Sequence, residues 1–165
     1  MSTGTTVLVD TNVWLDHYLA RPSGRPSAAT RLLTWAAQDE SVSLAYASTS
    51  AKDVFFLVAK LLKNEAREAG GTVDEDVARA ANEAAWACVE NMGRLACAVG
   101  ADEADLWTAC KQRDAENDLE DALILAAARR CSADYLATND AVLQTRYPAL
   151  ARCPERILAD IGATS

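Results

Sequence analysis

A single histidine, His17, is too few for any metal site built on several imidazoles, and a serine–histidine–aspartate hydrolase would hang on that one ring. The five cysteines, Cys88, Cys97, Cys110, Cys131 and Cys153, are odd in number and form no C-x-x-C pair. Neither a disulfide framework nor a structural zinc site is suggested, and the cysteines read as reduced, small apolar residues. No apolar run approaches the ~20 residues needed to cross a bilayer; the longest extends from Ala122 to Ala128. Met1 to Gly4 has neither the basic start nor the apolar body of a signal peptide, so a cytoplasmic protein is expected. Positive charge is also short. With 16 Lys and Arg against 24 Asp and Glu, the net charge of -8 argues against a protein that coats nucleic acid by neutralising phosphates. It leaves open an enzyme that meets phosphate through a bound cation.

What the chain does have is ordinary globular composition: half of its 165 residues are apolar, enough for one domain over residues 1–165 with a buried core. Thr5 to Val9 is a short β-branched run of the kind that makes a buried strand, and it stops at three capping residue types, Asp10-Thr11-Asn12. A helix should follow at once, with Val13, Trp14, His17 and Tyr18 on its apolar side and the turn residues of Arg21 to Pro26 at its end. Further helices are expected from Ser27 to about Gln38, from Ser48 to Gly70-Gly71, from Asp74 to about Asn91 and from Ala101 to about Arg113. Val42 to Tyr46 and Leu95 to Val99 read as strands. Leu119 to Cys131, capped by Asn117-Asp118, is apolar nearly all round and therefore central. Tyr135 to Ala137 is too short for periodicity to settle. It precedes a second capping cluster, Thr138-Asn139-Asp140, then a short helix to Arg146, and a last helix is expected from Pro154 to Ile161. Such alternation favours an α/β fold in which helical crossovers join parallel strands, with ligands beyond the carboxyl ends of the strands.

Acids concentrate where that edge should lie. Asp10 and Asp140 each follow a strand, and Asp118 and Asp121 open the central helix. A helix N-cap accounts for any one of them. Asp53, inside a helix beside Phe56 and Leu57, sits where a lone carboxylate is costly unless it reaches water. Gathered at one edge, several carboxylates would repel one another unless a cation lay between them. Oxygen-only ligands suit Mg2+ or Mn2+, and the chemistry implied is phosphodiester hydrolysis.

Three blocks, VLVDTNVWLD, YASTSAKDVFFLVAKLL and DLEDALILAAARRCSADYLATND, run in that order from Val7 to about Ala141. Together they resemble the PIN-domain nucleases, and among them the bacterial group of VapC-type toxins. The resemblance implies a three-layer α/β/α sandwich around a mainly parallel sheet, dependence on Mg2+ or Mn2+, and hydrolysis of single-stranded RNA. Asp10, Asp121 and Asp140 fall on the family's acids, and Asp118 matches a subgroup reading D-x-E-D-A. The implied metal set is therefore Asp10, Asp118, Asp121 and Asp140, with Asp53 as a fifth catalytic acid. Thr11, Asn12, Thr138 and Asn139 fall on polar positions that support the acids. Toxin members carry Glu where this chain has Asp53, one methylene shorter, after Lys52. An antitoxin protein and a homodimer are the implied partners, with Trp14, Phe55 and Phe56 offering an apolar surface.

Two alternatives are weighed against this reading. One is a PIN-like scaffold whose site has weakened, serving as a binding or dimerisation module. The other is a phosphoryl-transfer domain, but a dehalogenase-like phosphatase would need a second acid where Asn12 stands, and a receiver domain needs a late lysine whereas none follows Lys111. Lys52, Lys60, Lys63 and Arg67 read as a solvated helical face rather than an RNA track. Arg129 and Arg130 suit the dipole at a helix end, and Trp14, Trp35, Trp86 and Trp107 read as core or interface rather than base-stacking platforms.

Overall fold

Side chains of a buried parallel strand point alternately to opposite faces, so the central strand must serve two cores. Strand β1 (Thr5–Val9) does so: Val7 and Val9 enter one cluster with Val13, Trp14, Leu32 and Val54, while Leu8 enters the other with Ile124, Leu136 and Leu143. This computed structural model describes residues 4–19 and 25–162. Around β1 the order of elements is α1 (Thr11–Tyr18), α2 (Ala28–Ala36), β2 (Val42–Ala47), α3 (Ser48–Glu68), α4 (Glu75–Leu95), β3 (Cys97–Val99), α5 (Glu103–Gln112), α6 (Leu119–Arg130), β4 (Tyr135–Ala137), α7 (Ala141–Arg146), β5 (Ala151–Arg152) and α8 (Pro154–Gly162). All strand pairs are parallel, in the order β3-β2-β1-β4-β5. The α/β/α sandwich expected from the sequence is present. The first four helices and α8 pack on one face of the sheet, and α6 and α7 on the other.

This strand order fixes where a site can lie. From β1 the chain first moves to β2 and β3 and later returns to β4 on the opposite side, so a crevice opens beyond the carboxyl ends of β1 and β4. Each of those strands ends in a capping cluster, Asp10-Thr11-Asn12 and Thr138-Asn139-Asp140. Helix α6 also starts with capping residues, and Ile124 to Ala128 are buried in succession. It is the central helix its composition predicts.

Several elements depart from the sequence reading. Helix α4 continues past Asn91 to Leu95, because the buried Met92 and the core-packed Leu95 prolong its helical period. Strand β3 shortens accordingly. Tyr135–Ala137 does form a strand, stitched on one side to β1, and β5 has only two residues. Helix α3 closes at Gly70, whose φ of +80° suits a residue without a Cβ. The predicted turn over Arg21 to Gly24 falls outside the described residues. Trp14 is fully buried, stacked on Tyr18 and edge-on to Tyr46, and Phe55 packs on Trp86. Of the apolar surface proposed from Trp14, Phe55 and Phe56, only Phe56 is exposed, because the inner faces of α1 and α3 turn the other two inward. Among the described residues no helix is long and apolar enough to cross a membrane.

Candidate active site

The backbone that delivers Asp10 is an extension of the sheet. Its N–H donates to the carbonyl of Ala137 at 3.0 Å, continuing the β1–β4 ladder, and its carbonyl accepts the N–H of Val13, which starts α1. The side chain stands at the helix N-cap yet makes no capping bond. It turns instead across the crevice: Oδ2 accepts from Asn12 Nδ2 and from Thr138 Oγ1, both at 2.6 Å. Capping therefore does not explain Asp10.

Thr138 is the hub of the arrangement. It is fully buried at the end of β4, and its hydroxyl donates to Asp10 while accepting from Asn12 Nδ2 (3.1 Å) and from the N–H of Asp140 (3.0 Å). Its own N–H is held by the carbonyl of Arg152 in β5, and its carbonyl accepts from Gln144 Nε2. Asn12 Oδ1 accepts the N–H of Asn139 and thereby ties the two capping clusters to each other. Thr138→Val removes the hydroxyl while keeping the shape, leaving two donors and the Asp10 carboxylate without their partner. A loss of about 2–3 kcal/mol is expected, read as a lower urea midpoint at unchanged m.

Asp118 and Asp140 do act as caps. Asp118 Oδ1 accepts from the N–H of Glu120 (2.8 Å) and Asp121 (3.3 Å), and Asp140 Oδ1 from Val142 (2.6 Å) and Leu143 (3.1 Å). One oxygen of each is engaged at a helix start, which fixes the carboxylate at the crevice. Asp121, in the first turn of α6, makes no salt bridge among the described residues. Partial burial first, then the charges of Asp118, Glu116, Asp140 and Asp10, push its carboxyl up to about 6. Asp10 is also pushed up to about 6, chiefly by burial and further by the charge of Glu120, against hydrogen bonds from Thr138, the Thr11 backbone and Asn12 that pull it down. Both carboxyls are raised chiefly by desolvation, with further negative charge from Glu120 at Asp10 and from Asp118, Glu116 and Asp140 at Asp121, and they mark a negatively charged pocket.

The structure thus brings Asp10, Asp118, Asp121 and Asp140 to one edge, with Asn12, Thr138 and Asn139 bonded among them. Thr11 lies at the start of α1 with its hydroxyl buried and unpartnered. Asp53 takes a different position, a quarter exposed on α3 and paired with Lys52 at 3.1 Å. Among the described residues no group of three or more histidine, cysteine or acidic side chains is placed to hold a metal ion. Mg2+ does not need one, since it keeps several waters and binds through one or two carboxylates together with substrate phosphate. The donor set, all oxygen and negatively charged, fits such an ion. Glu116 has no motif to announce it, and sequence reasoning passed over it: it lies buried near Asp121, paired with Arg146 thirty residues away.

Residues 6–141 match the family model described as PIN domain. A solved structure, that of VapBC2 from Rickettsia felis bound to a DNA fragment from its promoter, superposes with a TM-score of 0.60 over 90% of this chain and 98% of that chain, at 12% sequence identity. No curated protein matches the sequence significantly.

Proposed function

The chain belongs to the PIN domain family, and on that footing we propose that it is a Mg2+- or Mn2+-dependent endoribonuclease that hydrolyses single-stranded RNA, the toxin of a toxin–antitoxin pair working in the cytoplasm. The observation that carries this reading is Asp10, a carboxylate almost wholly buried at a strand end, free of capping duty and pushed up to about 6 beside a second raised carboxyl, Asp121. A structural role alone gives no reason to bury a carboxylate at this cost.

In this reading Asp10, Asp121, Asp118 and Asp140 hold the cation, and Asp53 assists from α3. The ion, when bound, neutralises the reacting phosphate, makes a water acidic enough to attack it near neutral pH and stabilises the leaving oxygen. The chain's own part is positioning. Asn12 and Thr138 fix the Asp10 carboxylate from two sides, and the first turns of α6 and α7 fix Asp118 and Asp140. The half-buried Asp121 completes the negative pocket and holds charge toward the cation once ionised.

With Mn2+ or Mg2+, purified protein is expected to cleave single-stranded RNA in preference to duplex, to stop when a chelator is added, and to leave 5′-phosphate and 3′-hydroxyl ends. Cleavage that persists in chelator and leaves a cyclic phosphate would rule out the mechanism. An open acidic site on a chain of charge -8 calls for a basic partner: an Arg or Lys from an antitoxin can pair with the carboxylates at the cation position. The architecture shared with VapBC2, itself solved as a complex, supports such a partner. For a homodimer, the exposed Phe56 and Trp86 on α3 and α4 are among the apolar side chains available.

A further inference from the structure

Glu116 is 6% exposed, yet it lies in the connection between α5 and α6, outside any helix or strand. A carboxylate so buried requires partners. It finds them at the end of α7: Arg146 Nη1 donates to its Oε2 at 2.5 Å, and the Tyr147 hydroxyl reaches the same oxygen at 3.5 Å. Glu116 stands two residues before Asp118, and Arg146 six residues after Asp140. This ion pair therefore joins the same two stretches of chain that present those two acids.

We propose that Glu116 and Arg146 form a latch that sets the position of Asp118 and Asp121 relative to Asp140, with Arg146 as a positioning residue for the cleavage reaction. The inference rests on the nuclease reading for its catalytic consequence, but the latch itself is a statement about the chain. Ahead of α6 the connection is tied back to α5 by the N–H groups of Ala115 and Glu116 on the Gln112 carbonyl, and forward to α6 only at Asp118. Helix α7 is only six residues long and packs through Leu143. Glu116 is the buried partner of the pair and Arg146 the exposed one, so the buried carboxylate ties the connection to the end of α7. The guanidinium reaches Glu116 from a side chain two-fifths exposed, so it can be replaced without opening the core.

Arg146→Met strands a buried carboxylate and costs stability as well. The informative variant is the double change Glu116→Gln with Arg146→Met, which removes the latch without leaving a charge unpaired. Amide hydrogen exchange of both variants is expected to show faster exchange over 113–118 and the first turn of α7, with β1 and α1 unchanged. In Mn2+-dependent cleavage, kcat should fall about tenfold in both with KM within about twofold, the signature of misplaced groups rather than lost substrate binding. Arg146→Lys should recover part of kcat. A double variant that regains wild-type stability and full kcat would reduce the pair to a structural brace and overturn the proposal. Unchanged exchange over 113–118 would overturn it whatever the activity. Absence of metal-dependent cleavage in the wild-type protein would instead defeat the nuclease reading, and exchange alone would then decide the latch.

Discussion

Asp10→Asn is expected to lower Mn2+-dependent RNA cleavage by on the order of a thousandfold, the scale of losing several kcal/mol of charge stabilisation at the transition state. The substitution is nearly isosteric, and the amide oxygen can accept the same two bonds from Asn12 and Thr138. The N–H to Ala137 and the start of α1 are backbone matters and stay as they are. What disappears is the one charge held deep in the crevice, so a folded but inactive protein is the expected product. Far-ultraviolet circular dichroism checks the fold, calorimetry with Mn2+ checks for weakened binding, and single-turnover cleavage checks the rate. Activity within tenfold of wild type, with metal binding unchanged, would remove Asp10 from the site.

Much of this geometry is local in sequence, which is why it can be read there. A β-branched run that ends in Asp-Thr-Asn announces a strand and a helix start, and the same is true of Thr138-Asn139-Asp140 and of Asp118 ahead of an apolar helix. Parallel order then sends all three to one edge. What local patterns do not carry is pairing across distance. Strand β5 consists of two residues whose register exists only against β4, and Glu116 gains meaning only from Arg146, thirty residues on. For Trp14 the sequence leaves core and interface both open, because the face of an eight-residue helix that turns inward is decided by its neighbours; here it is core. Arg130 shows the same limit: the helix dipole explains a basic residue there, but its bonds to Asp102 and Asp105 arise from α5 packing on α6. Asp53 was set beside an apolar face with water or a cation as its two resolutions, and the neighbouring Lys52 supplies a third.

The charge that catalysis needs should also be visible as a stability deficit in the metal-free protein. Asp10 rises from an ordinary 3.8 to about 6 on folding. For a carboxyl raised in the folded state the contribution to stability is complete below about pH 4 and is lost as pH climbs through 6, because the folded chain holds the proton more tightly than the unfolded one. Wild-type protein should therefore lose roughly 2 kcal/mol between pH 4.5 and pH 8 through Asp10 alone. Asp121 shifts in the same direction and adds to the loss. His17, lowered by burial, acts in the opposite sense as pH falls. The difference in unfolding free energy between wild type and Asp10→Asn cancels the other groups and isolates Asp10: the variant should be the more stable by roughly 3 kcal/mol at pH 8 and by only about 1 kcal/mol at pH 4.5. Mn2+ at a hundredfold excess over its dissociation constant returns about 2.7 kcal/mol to the wild-type protein at pH 8 by binding only the folded state. Asp10→Asn should regain little of that. A wild-type-minus-variant difference that stays flat from pH 4.5 to pH 8 would mean that Asp10 is not a strained, ionised group, and a melting temperature indifferent to Mn2+ would mean that no cation relieves it.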